Sequence, residues 1–469
     1  MPARARCDTT EWWGGLGLLA VLLVIYLPAL GHGFIKDDFA WIASSQVTSV
    51  SALFAPFAKA ADFYRPLVGL SFAVDWWLFG LSPLAFGLTN LAFLLGAALA
   101  VRNLGRALGM RRETAVVAAA LWCLNYHGIN TSLLWISGRT SLLVTLFALL
   151  AASASVGGHR RRAAVWALLA MLSKEDAVLM PFVLLLWSAL DASTGPSITV
   201  GGRLRSAVRQ SWLLFAVLAF YLAVRTAASG MTPMSATSAY QFVLAPSSVV
   251  LNLLAYLDRS GTLSAGVVVL LALAAAAMPR PHADQRRWVV LGSLWMVVGL
   301  SLAILLPARS SLLSIGPSVG AALAGAALIT ALWDRGSARA RSRMGAVGAL
   351  IVALILVPIH WARNDKWVEW AQLSTHVLNE VAPVASALPP GKVVQIDDER
   401  EARMNLDSSF GTLIEPALLV RTGRARGVWI EPPPVNWQEA GLVRPQATDI
   451  AVHFALRGKQ LVRLADVPK

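Results

Sequence analysis

The feature that most constrains this chain is its succession of long apolar runs, which recur from Trp12 to Trp361 and are separated by short basic clusters. A run of about 20 apolar residues lets a helix cross the hydrocarbon core of a bilayer. Hydrophobic residues make up 57% of the 469 residues, and charged residues make up only 14%, against about 25% in soluble domains. The sequence therefore predicts a mainly α, polytopic helical membrane protein and excludes disordered, collagen-like and coiled-coil classes.

The placement of basic residues predicts how the chain crosses the bilayer. We interpret the hydropathy as eleven spans, and all basic clusters then fall on one side, which the positive-inside rule identifies as the cytoplasm. The N-terminus is predicted to be cytoplasmic and the C-terminal segment extracytoplasmic. The predicted spans are 13–30, 84–101, 114–124, 142–156, 163–172, 177–190, 212–227, 262–278, 288–306, 312–333 and 345–359. The basic clusters are 4–6, 102–112, 160–162, 203–209, 280–287 and 335–343.

Charge and cysteine content exclude two further classes. The net charge of +14 belongs wholly to residues 1–361, because acidic and basic residues balance in residues 362–469. The high isoelectric point therefore reports membrane topology, and we expect no nucleic-acid partner. Cys7 and Cys123 are far apart in sequence and are predicted to be free thiols, so a disulfide framework is excluded.

The chain changes character after residue 361. A partly amphipathic helix is predicted over 362–388, and short β-rich runs follow at 392–396, 418–420, 427–430 and 450–456. We therefore predict a membrane domain over 1–361, with a first outer loop at 32–83, and a small extracytoplasmic α/β domain over 362–469.

Eight basic residues break the charge rule, because they fall on the outer side or inside an apolar segment. Charges near span ends can extend to the lipid headgroups, which is the simplest interpretation of Lys36, Lys59 and Arg259. Ionisable groups within a membrane usually mark a functional site, which we favour for three others. These are Arg65, Arg139 and Lys174, and the remaining two of the eight are Arg225 and Arg309.

Adjacent carboxylates follow the first span. Asp37 and Asp38 are flanked by aromatic residues and are candidates for a base in an interfacial cleft, although a solvated turn would also place them there. Neighbouring residues point in different directions, so this pair does not suit the two-sided acid and base of a glycosidase. His127 is compatible with an interfacial histidine or with a site, and the charged run 173–176 has no packing rationale unless it faces a polar cavity.

Several short motifs follow one another along the chain: Asp37-Asp38, Tyr-Arg-Pro-Leu at 64–67, the Asp75 helix, Leu-Thr-Asn at 88–90, Trp-Ile-Ser-Gly-Arg at 135–139, Ser-Lys-Glu at 173–175, Arg-Ser-Ser at 309–311 and Gly-Pro-Ser-Val-Gly at 316–320. This ordered series resembles the GT-C glycosyltransferases, and most closely the protein O-mannosyltransferase-like membrane proteins. The resemblance covers about residues 10–330. One departure concerns His127 and Asn130, which stand where many relatives carry a His-Pro pair and a downstream Glu.

The resemblance implies an inverting hexosyltransferase that moves a sugar, such as mannose, from a polyprenyl-phosphate donor to an acceptor hydroxyl on the outer face. It implies that Asp37 is the general base and that Asp38 orients the acceptor or shares this role. The implied phosphate-binding residues are Arg65, Arg139, Lys174, Arg225 and Arg309, and the supporting residues are Tyr64, Asp75, His127, Asn130 and Glu175.

Cations can stabilise the departing lipid phosphate without a strong acid. A divalent cation is possible as a cofactor, but the sequence offers no evident metal-ligand spacing, so we expect phosphate-binding Arg and Lys residues instead.

The sequence leaves open the identity of the acceptor and two alternative functions. The acceptor could be a protein, a lipid or a glycan, and a bacterial inner (plasma) membrane location is expected from the Ala/Arg-rich composition. A lipid-linked sugar transporter or flippase would predict repeated spans, which the sequence does not show. A non-catalytic scaffold would leave Asp37, Asp38 and the isolated basic residues unexplained.

Overall fold

The computed structural model confirms a mainly helical chain with a small C-terminal sheet. It describes residues 9–46, 49, 51, 57, 63–191, 199–230, 238–399, 405–424 and 427–464. Cys123 is buried and free, as predicted, whereas Cys7 and Lys59 lie outside the described residues.

The described helices include seven that are long and apolar enough to cross a membrane. The number of eleven spans stays a prediction, because several apolar helices are shorter than a full span. The helices are α1 (Thr9–Tyr26), α2 (Asp37–Ser44), α3 (Pro66–Phe79), α4 (Pro83–Ala107), α5 (Arg112–Cys123), α6 (Ile129–Leu134), α7 (Arg139–Val156), α8 (Arg160–Ser173), α9 (Met180–Asp191), α10 (Val200–Ala227), α11 (Pro246–Ala275), α12 (Ala283–Leu300), α13 (Ile315–Arg335), α14 (Ala338–Leu350), α15 (Val357–Ala387), α16 (Leu406–Ser409) and α17 (Ile414–Thr422).

Helices α12 and α13 pack with their backbones in close contact. Gly292 and Gly320 face each other, and a Cβ atom on either glycine would overlap the carbonyl oxygen of the other. Small residues allow this kind of approach between membrane helices. The Gly-Pro-Ser-Val-Gly motif at 316–320 therefore has a packing role.

One helical run connects the membrane part to the outer part. Helices α14 and α15 are joined by a π-helical turn at Ile351–Leu356, so the run is continuous from Ala338 to Ala387. The predicted separate span 345–359 and helix 362–388 are thus one element. The domain boundary predicted at residue 361 falls inside it, and we keep the two-domain division as a proposal.

The outer part is built on a four-stranded sheet of order β2-β1-β3-β4. Strand β1 is parallel to β2 and β3, whereas β4 is antiparallel to β3. The strands are β1 (Val393–Asp398), β2 (Val428–Glu431), β3 (Ile450–Arg457) and β4 (Gln460–Arg463). Three of the predicted β-rich runs are confirmed as β1 to β3. The run at 418–420 was predicted wrongly, because it lies in α17, where it buries Leu418 and Val420 in the core beneath the sheet.

The outer part packs directly on α2, the helix that begins with the paired carboxylates. The Phe39 and Phe410 rings stack with their centroids 5.9 Å apart, and the Lys36 N–H donates to the Ser409 carbonyl at 2.8 Å. The Ser409 hydroxyl in turn donates to the carbonyl of Trp370 on α15 at 3.0 Å. Residues from both ends of the chain therefore fix the start of α2.

Candidate functional site

The backbone before α2 is tightly constrained. Gly33 has φ +141°, and a Cβ atom there would lie 2.7 Å from the Ala371 carbonyl oxygen of α15, so no larger residue fits without a shift. Lys36 has φ 48°, a conformation that non-glycine residues rarely adopt. Strain of this kind persists only where the surrounding structure fixes it, and here Ser409 binds the Lys36 N–H. This loop therefore places Asp37 and Asp38 in one defined position.

Asp38 faces inward, and each of its two carboxylate oxygens accepts a hydrogen bond. The side chain is fully buried, and it accepts hydrogen bonds from the Ile35 N–H at 3.0 Å and the Ser137 N–H at 2.6 Å. Burial raises the pKa of Asp38 to about 7, although the two N–H donors lower it. Asp38 thus ties the carboxylate loop to the Trp-Ile-Ser-Gly-Arg motif.

Asp37 faces outward and is open to solvent. Within the described part of the chain, its carboxylate has no hydrogen bond or ion pair. The side chain is accessible yet surrounded by protein, so burial raises the pKa of Asp37, while the positive charges of Lys36 and Arg65 oppose this rise. Of the two predicted carboxylates, Asp37 is therefore the one available to a reactant.

Two ion pairs lie next to Asp37. Arg65 donates through Nε to Glu175 at 2.9 Å and through Nη2 to the other Glu175 oxygen. Burial raises the pKa of Glu175, but the paired guanidinium outweighs this and lowers it to about 2. Lys174 pairs with Asp176 at 2.8 Å and donates to the Ser141 hydroxyl at 3.3 Å. The sequence-predicted cations Arg65 and Lys174 are thus together, and each is balanced by a carboxylate.

Aromatic side chains complete this side of the site. Asp37, Arg65 and Asp176 are all close enough to the Tyr240 hydroxyl to interact with it electrostatically. Arg225 donates to the Tyr221 hydroxyl at 3.0 Å, and the Tyr221 ring lies 6.3 Å from that of Tyr64. We call this group the donor side, and it comprises Tyr64, Arg65, Lys174, Glu175, Asp176, Tyr221, Arg225 and Tyr240.

Arg139 lies apart from the donor side in a sealed network. Its guanidinium is fully buried and donates to Asp75 at 2.7 Å, to the Asn90 side chain at 2.9 Å and to the Ser71 hydroxyl at 3.3 Å. It also stacks against the Phe72 ring at 4.2 Å. The structure therefore places Arg139 and Asp75 in the framework beneath Asp38 and not on the surface of the site.

Arg309 lies next to the donor side. Its Nε donates to the Asn252 side chain at 2.7 Å, and Asn252 donates in turn to two backbone carbonyls. The charges of Arg309 and Asp176 both reach the hydroxyl of Tyr256. Arg309 is thus at the edge of the site, held by a side-chain amide and not by a carboxylate.

A second group of cations is connected to Asp37 through Lys36, and no hydrogen bond or ion pair among the described residues links it to the donor side. We call it the basic side: Lys36, His127, Arg259, Arg363 and Lys366. Lys366 interacts electrostatically with Arg363 and Lys36, which are both positively charged. Burial and the charge of Arg363 lower the pKa of His127, whose ring nitrogen is 4.0 Å from Asp258.

Asn130 borders the basic side, because its amide donates to the Arg363 carbonyl at 3.4 Å. The sequence analysis did not select Arg363 or Lys366. The sequence could have identified them, since both are basic residues among tryptophans just outside the last apolar run.

An apolar cavity opens beside the donor side. Its volume is about 60 Å³, it is open on one side, and Ser141 and Asp176 form its polar end. The cavity lies between α7, α9, α12 and α13. The apolar lining includes Val144, Ala148, Leu179, Val183, Trp295, Leu312 and Pro317. The cavity is thus apolar along its walls, and its polar end lies beside Lys174, which contacts both Ser141 and Asp176.

The described residues do not offer a metal site. Among them, no group of three or more His, Cys, Asp and Glu side chains is arranged to hold an ion. The adjacent Asp38 accepts two backbone N–H groups, and the donor-side carboxylates Glu175 and Asp176 pair with Arg65 and Lys174. We therefore derive no step through a metal.

Comparison with known proteins shows the fold. No family model and no curated protein sequence matches the chain. Among solved structures, ArnT from Cupriavidus metallidurans bound to undecaprenyl phosphate is similar, with 15% identity and a TM-score of 0.52 over 98% of this chain and 99% of ArnT. Apo ArnT matches at 15% identity and a TM-score of 0.46 over 95% of this chain and 93% of ArnT.

The archaeal oligosaccharyltransferase AglB from Archaeoglobus fulgidus, in complex with an inhibitory peptide and a dolichol-phosphate, matches at 11% identity and a TM-score of 0.48. This alignment covers 89% of this chain and 64% of AglB. The ArnT match shows that the chain has a GT-C membrane fold, as the motifs predicted. The narrower resemblance to protein O-mannosyltransferase-like proteins stays a prediction.

Proposed function

We propose that this chain, a polytopic membrane protein with a GT-C fold, transfers a sugar from a polyprenyl-phosphate donor to an acceptor hydroxyl. One arrangement carries the proposal: the solvent-accessible Asp37 carboxylate lies near Arg65, and the neighbouring Lys174–Asp176 pair is at the polar end of an apolar cavity between membrane helices. An apolar cavity with a charged end matches a ligand that joins an isoprenoid tail to a phosphate.

The donor fits this site in one direction. Its isoprenoid tail lies in the cavity along α12 and α13, and its phosphate lies near Lys174 and Arg65. Arg225 and Arg309 stand at the edges of the same region and add positive charge. The solved ArnT structure holds undecaprenyl phosphate in the same fold, which supports a lipid phosphate as ligand.

The chemistry needs one base and several cations. Asp37 takes the proton of the acceptor hydroxyl while the acceptor oxygen forms a bond to the anomeric carbon. The bond from that carbon to the phosphate oxygen breaks, and the electron pair leaves with the lipid phosphate. A single displacement inverts the anomeric carbon, and cations near the phosphate stabilise the charge that develops.

The structure also suggests revised roles for the predicted residues. Arg139 and Asp75 hold the framework that supports the Asp38 loop, and Asp38 holds the loop itself. Glu175 orients Arg65 through two hydrogen bonds. Tyr64 packs beside Tyr221, and His127 and Asn130 belong to the basic side. In this proposal the side of the protein that bears Asp37 faces the outside of a bacterial inner membrane, and the N-terminus is cytoplasmic.

The test is release of lipid phosphate by the purified full-length protein in nanodiscs supplied with a panel of polyprenyl-phosphate hexoses and other sugars. Asp37→Asn is expected to lower turnover by about 10²–10⁴-fold, the usual contribution of a general base, while donor binding persists. Glu380→Gln, which changes an exposed carboxylate on α15 away from the site, should match the wild type.

Two outcomes contradict the proposal. Turnover of Asp37→Asn at the wild-type rate would remove its assigned base. Donor binding without release of lipid phosphate from any donor would instead favour a transporter or a binding protein.

A further inference from the structure

The donor side and the basic side differ in how their positive charge is balanced. On the donor side, Arg65 and Lys174 each pair with a carboxylate. On the basic side, no carboxylate among the described residues hydrogen-bonds to Lys36, Arg363 or Lys366. Of the two acids on this part of α15, Glu369 lies 4.0 Å from Lys459, and Asp365 is exposed with no ion pair among the described residues. Asp258 lies 4.0 Å from His127. Asp258 and Asp365 together do not balance four cations, so the basic side keeps a net positive charge.

Aromatic rings hold these cations in place. The Lys36 ammonium lies 5.3 Å from the Trp370 ring centroid, and the Lys366 ammonium lies 4.8 Å from that of Trp367. Arg363 lies 5.5 Å from the Tyr126 ring. Cation–π contacts orient a charged side chain without neutralising it, so its charge remains available to an anion.

Buried donors on the basic side lack partners. Among the described residues, Arg363 Nε and Arg259 Nη1 are buried nitrogens without a hydrogen-bond acceptor. Buried donors normally have partners, because burying a donor without a hydrogen bond is unfavourable. Lys36 and Lys366 share the Trp370 ring, and the charges of Arg363 and Arg259 both act on His127. Two guanidiniums and two ammoniums in one region form a set of donors that matches a phosphate group.

Position relates this group to the reaction. Lys36 directly precedes Asp37, and its charge reaches the Asp37 carboxylate. In an inverting displacement the acceptor approaches the anomeric carbon from the side opposite the leaving phosphate. With the donor phosphate assigned to Lys174 and Arg65, we assign the acceptor to the basic side, the other cationic group that adjoins Asp37.

We propose that Lys36, Arg259, Arg363 and Lys366 bind a phosphate group of the acceptor, next to the hydroxyl that Asp37 activates. The acceptor is therefore a phosphate-bearing molecule. The assignment of this phosphate to the acceptor rests on the proposed function, whereas its binding to the basic side can be tested without turnover.

The experiment measures lysine acetylation by mass spectrometry on the full-length protein in detergent, saturated with undecaprenyl phosphate. Inorganic phosphate and dihexanoyl phosphatidic acid are added separately. Sodium chloride at equal ionic strength, sodium acetate and dihexanoyl phosphatidylcholine serve as controls. We expect severalfold slower acetylation of Lys36 and Lys366 with a phosphate probe, and no change at Lys392 and Lys459 on the outer domain.

Protection by both phosphate probes supports a site for any phosphate, and protection by phosphatidic acid alone supports a lipid headgroup. Absence of protection overturns the proposal, as does equal protection by acetate. If undecaprenyl phosphate alone fully protects Lys36 and Lys366, compared with the protein without it, the proposal is also overturned, because the basic side would then bind the donor.

Matched variants separate binding from folding. Arg363→Gln is expected to abolish protection of Lys36 and Lys366, whereas Arg421→Gln, an exposed arginine of the outer domain, should preserve it. If Arg363→Gln does not fold, the exposed Lys366→Gln supplies the same test with Lys36 as the reporter. Failure of protection with intact sugar transfer overturns this inference alone, and intact protection without transfer from any donor overturns the proposed function.

Discussion

The network around Arg139 and the basic side around Arg363 both contain an arginine, but they differ in how many of its hydrogen-bond donors have partners. Arg139 is fully buried and donates to Asp75, Asn90 and Ser71. Arg363 is half-buried, contacts an aromatic ring and has a buried Nε without a partner among the described residues. A cation with all its donors engaged stabilises a fold, whereas one with donors left over is available to a ligand.

The adjacent carboxylates mark the border between these two regions. Asp38 belongs to the sealed region, because its charge reaches Arg139 and its oxygens accept two backbone N–H groups. Asp37 belongs to the open region. One step along the chain therefore separates a structural residue from a candidate base.

The largest effect is expected in the sealed region. Arg139→Met leaves the Asp75 carboxylate buried without its cation, and breaking a buried pair in this way costs about 3–5 kcal/mol. We expect a strongly reduced melting temperature of the purified protein, measured by thermal unfolding in detergent.

Adding Asp75→Leu to Arg139→Met should recover a large part of this loss, because the unpaired charge is then gone. Arg363→Gln, the matched change in the open region, should leave the melting temperature nearly unchanged. A stable Arg139→Met single variant would show that Arg139 is not a framework residue.

A smaller effect is expected from pH acting on Asp38. Its pKa of about 7 lies roughly three units above the usual value, so the folded state binds this proton more tightly than the unfolded state does. The stability from this proton is fully present below about pH 4 and is lost as pH rises to about 7, by at most about 4 kcal/mol.

Asp38→Asn does not titrate, so the difference in melting temperature between wild type and Asp38→Asn should change over this pH interval and level off above it. Asp37→Asn serves as the comparison for the neighbouring carboxylate in the open region. A difference between wild type and Asp38→Asn that is independent of pH would contradict the raised pKa.

The smallest effect is expected at Lys36, where the backbone is strained. Lys36→Gly relieves the positive φ angle and removes the charge, whereas Lys36→Gln removes only the charge. Because a residue in such a conformation costs on the order of 1 kcal/mol, Lys36→Gly should melt at a higher temperature than Lys36→Gln. Equal melting temperatures would mean that the loop is not strained.

Much of the fold was predictable, because hydropathy depends on composition over many residues. Helices α4, α7 and α13 lie close to predicted spans. The continuous run from Ala338 to Ala387 was not predicted, since a helix can continue where its surroundings change from lipid to water. The short run 418–420 was taken for a strand because three apolar residues carry no clear period.

The candidate site was predictable in its residue types but not in their partners. The sequence singled out Arg65, Lys174 and Arg139 equally. Only the structure separates Arg65 and Lys174, whose carboxylate partners are partly exposed, from Arg139, whose partner Asp75 is buried with it. Arg363 was overlooked because it follows the last apolar run in a segment interpreted as part of the outer domain. Its neighbour His127 lies more than 200 positions earlier in the chain.

The hydrogen bond from Lys36 to Ser409 has a consequence for synthesis. The ribosome makes Lys36 soon after the first apolar helix and makes Ser409 only after all the long apolar helices. During translation the loop that bears Asp37 therefore waits for its final partner, and it is fixed only when the outer domain has emerged and folded. A nascent chain inserted in the membrane thus lacks an ordered site until the segment around Ser409 has been made.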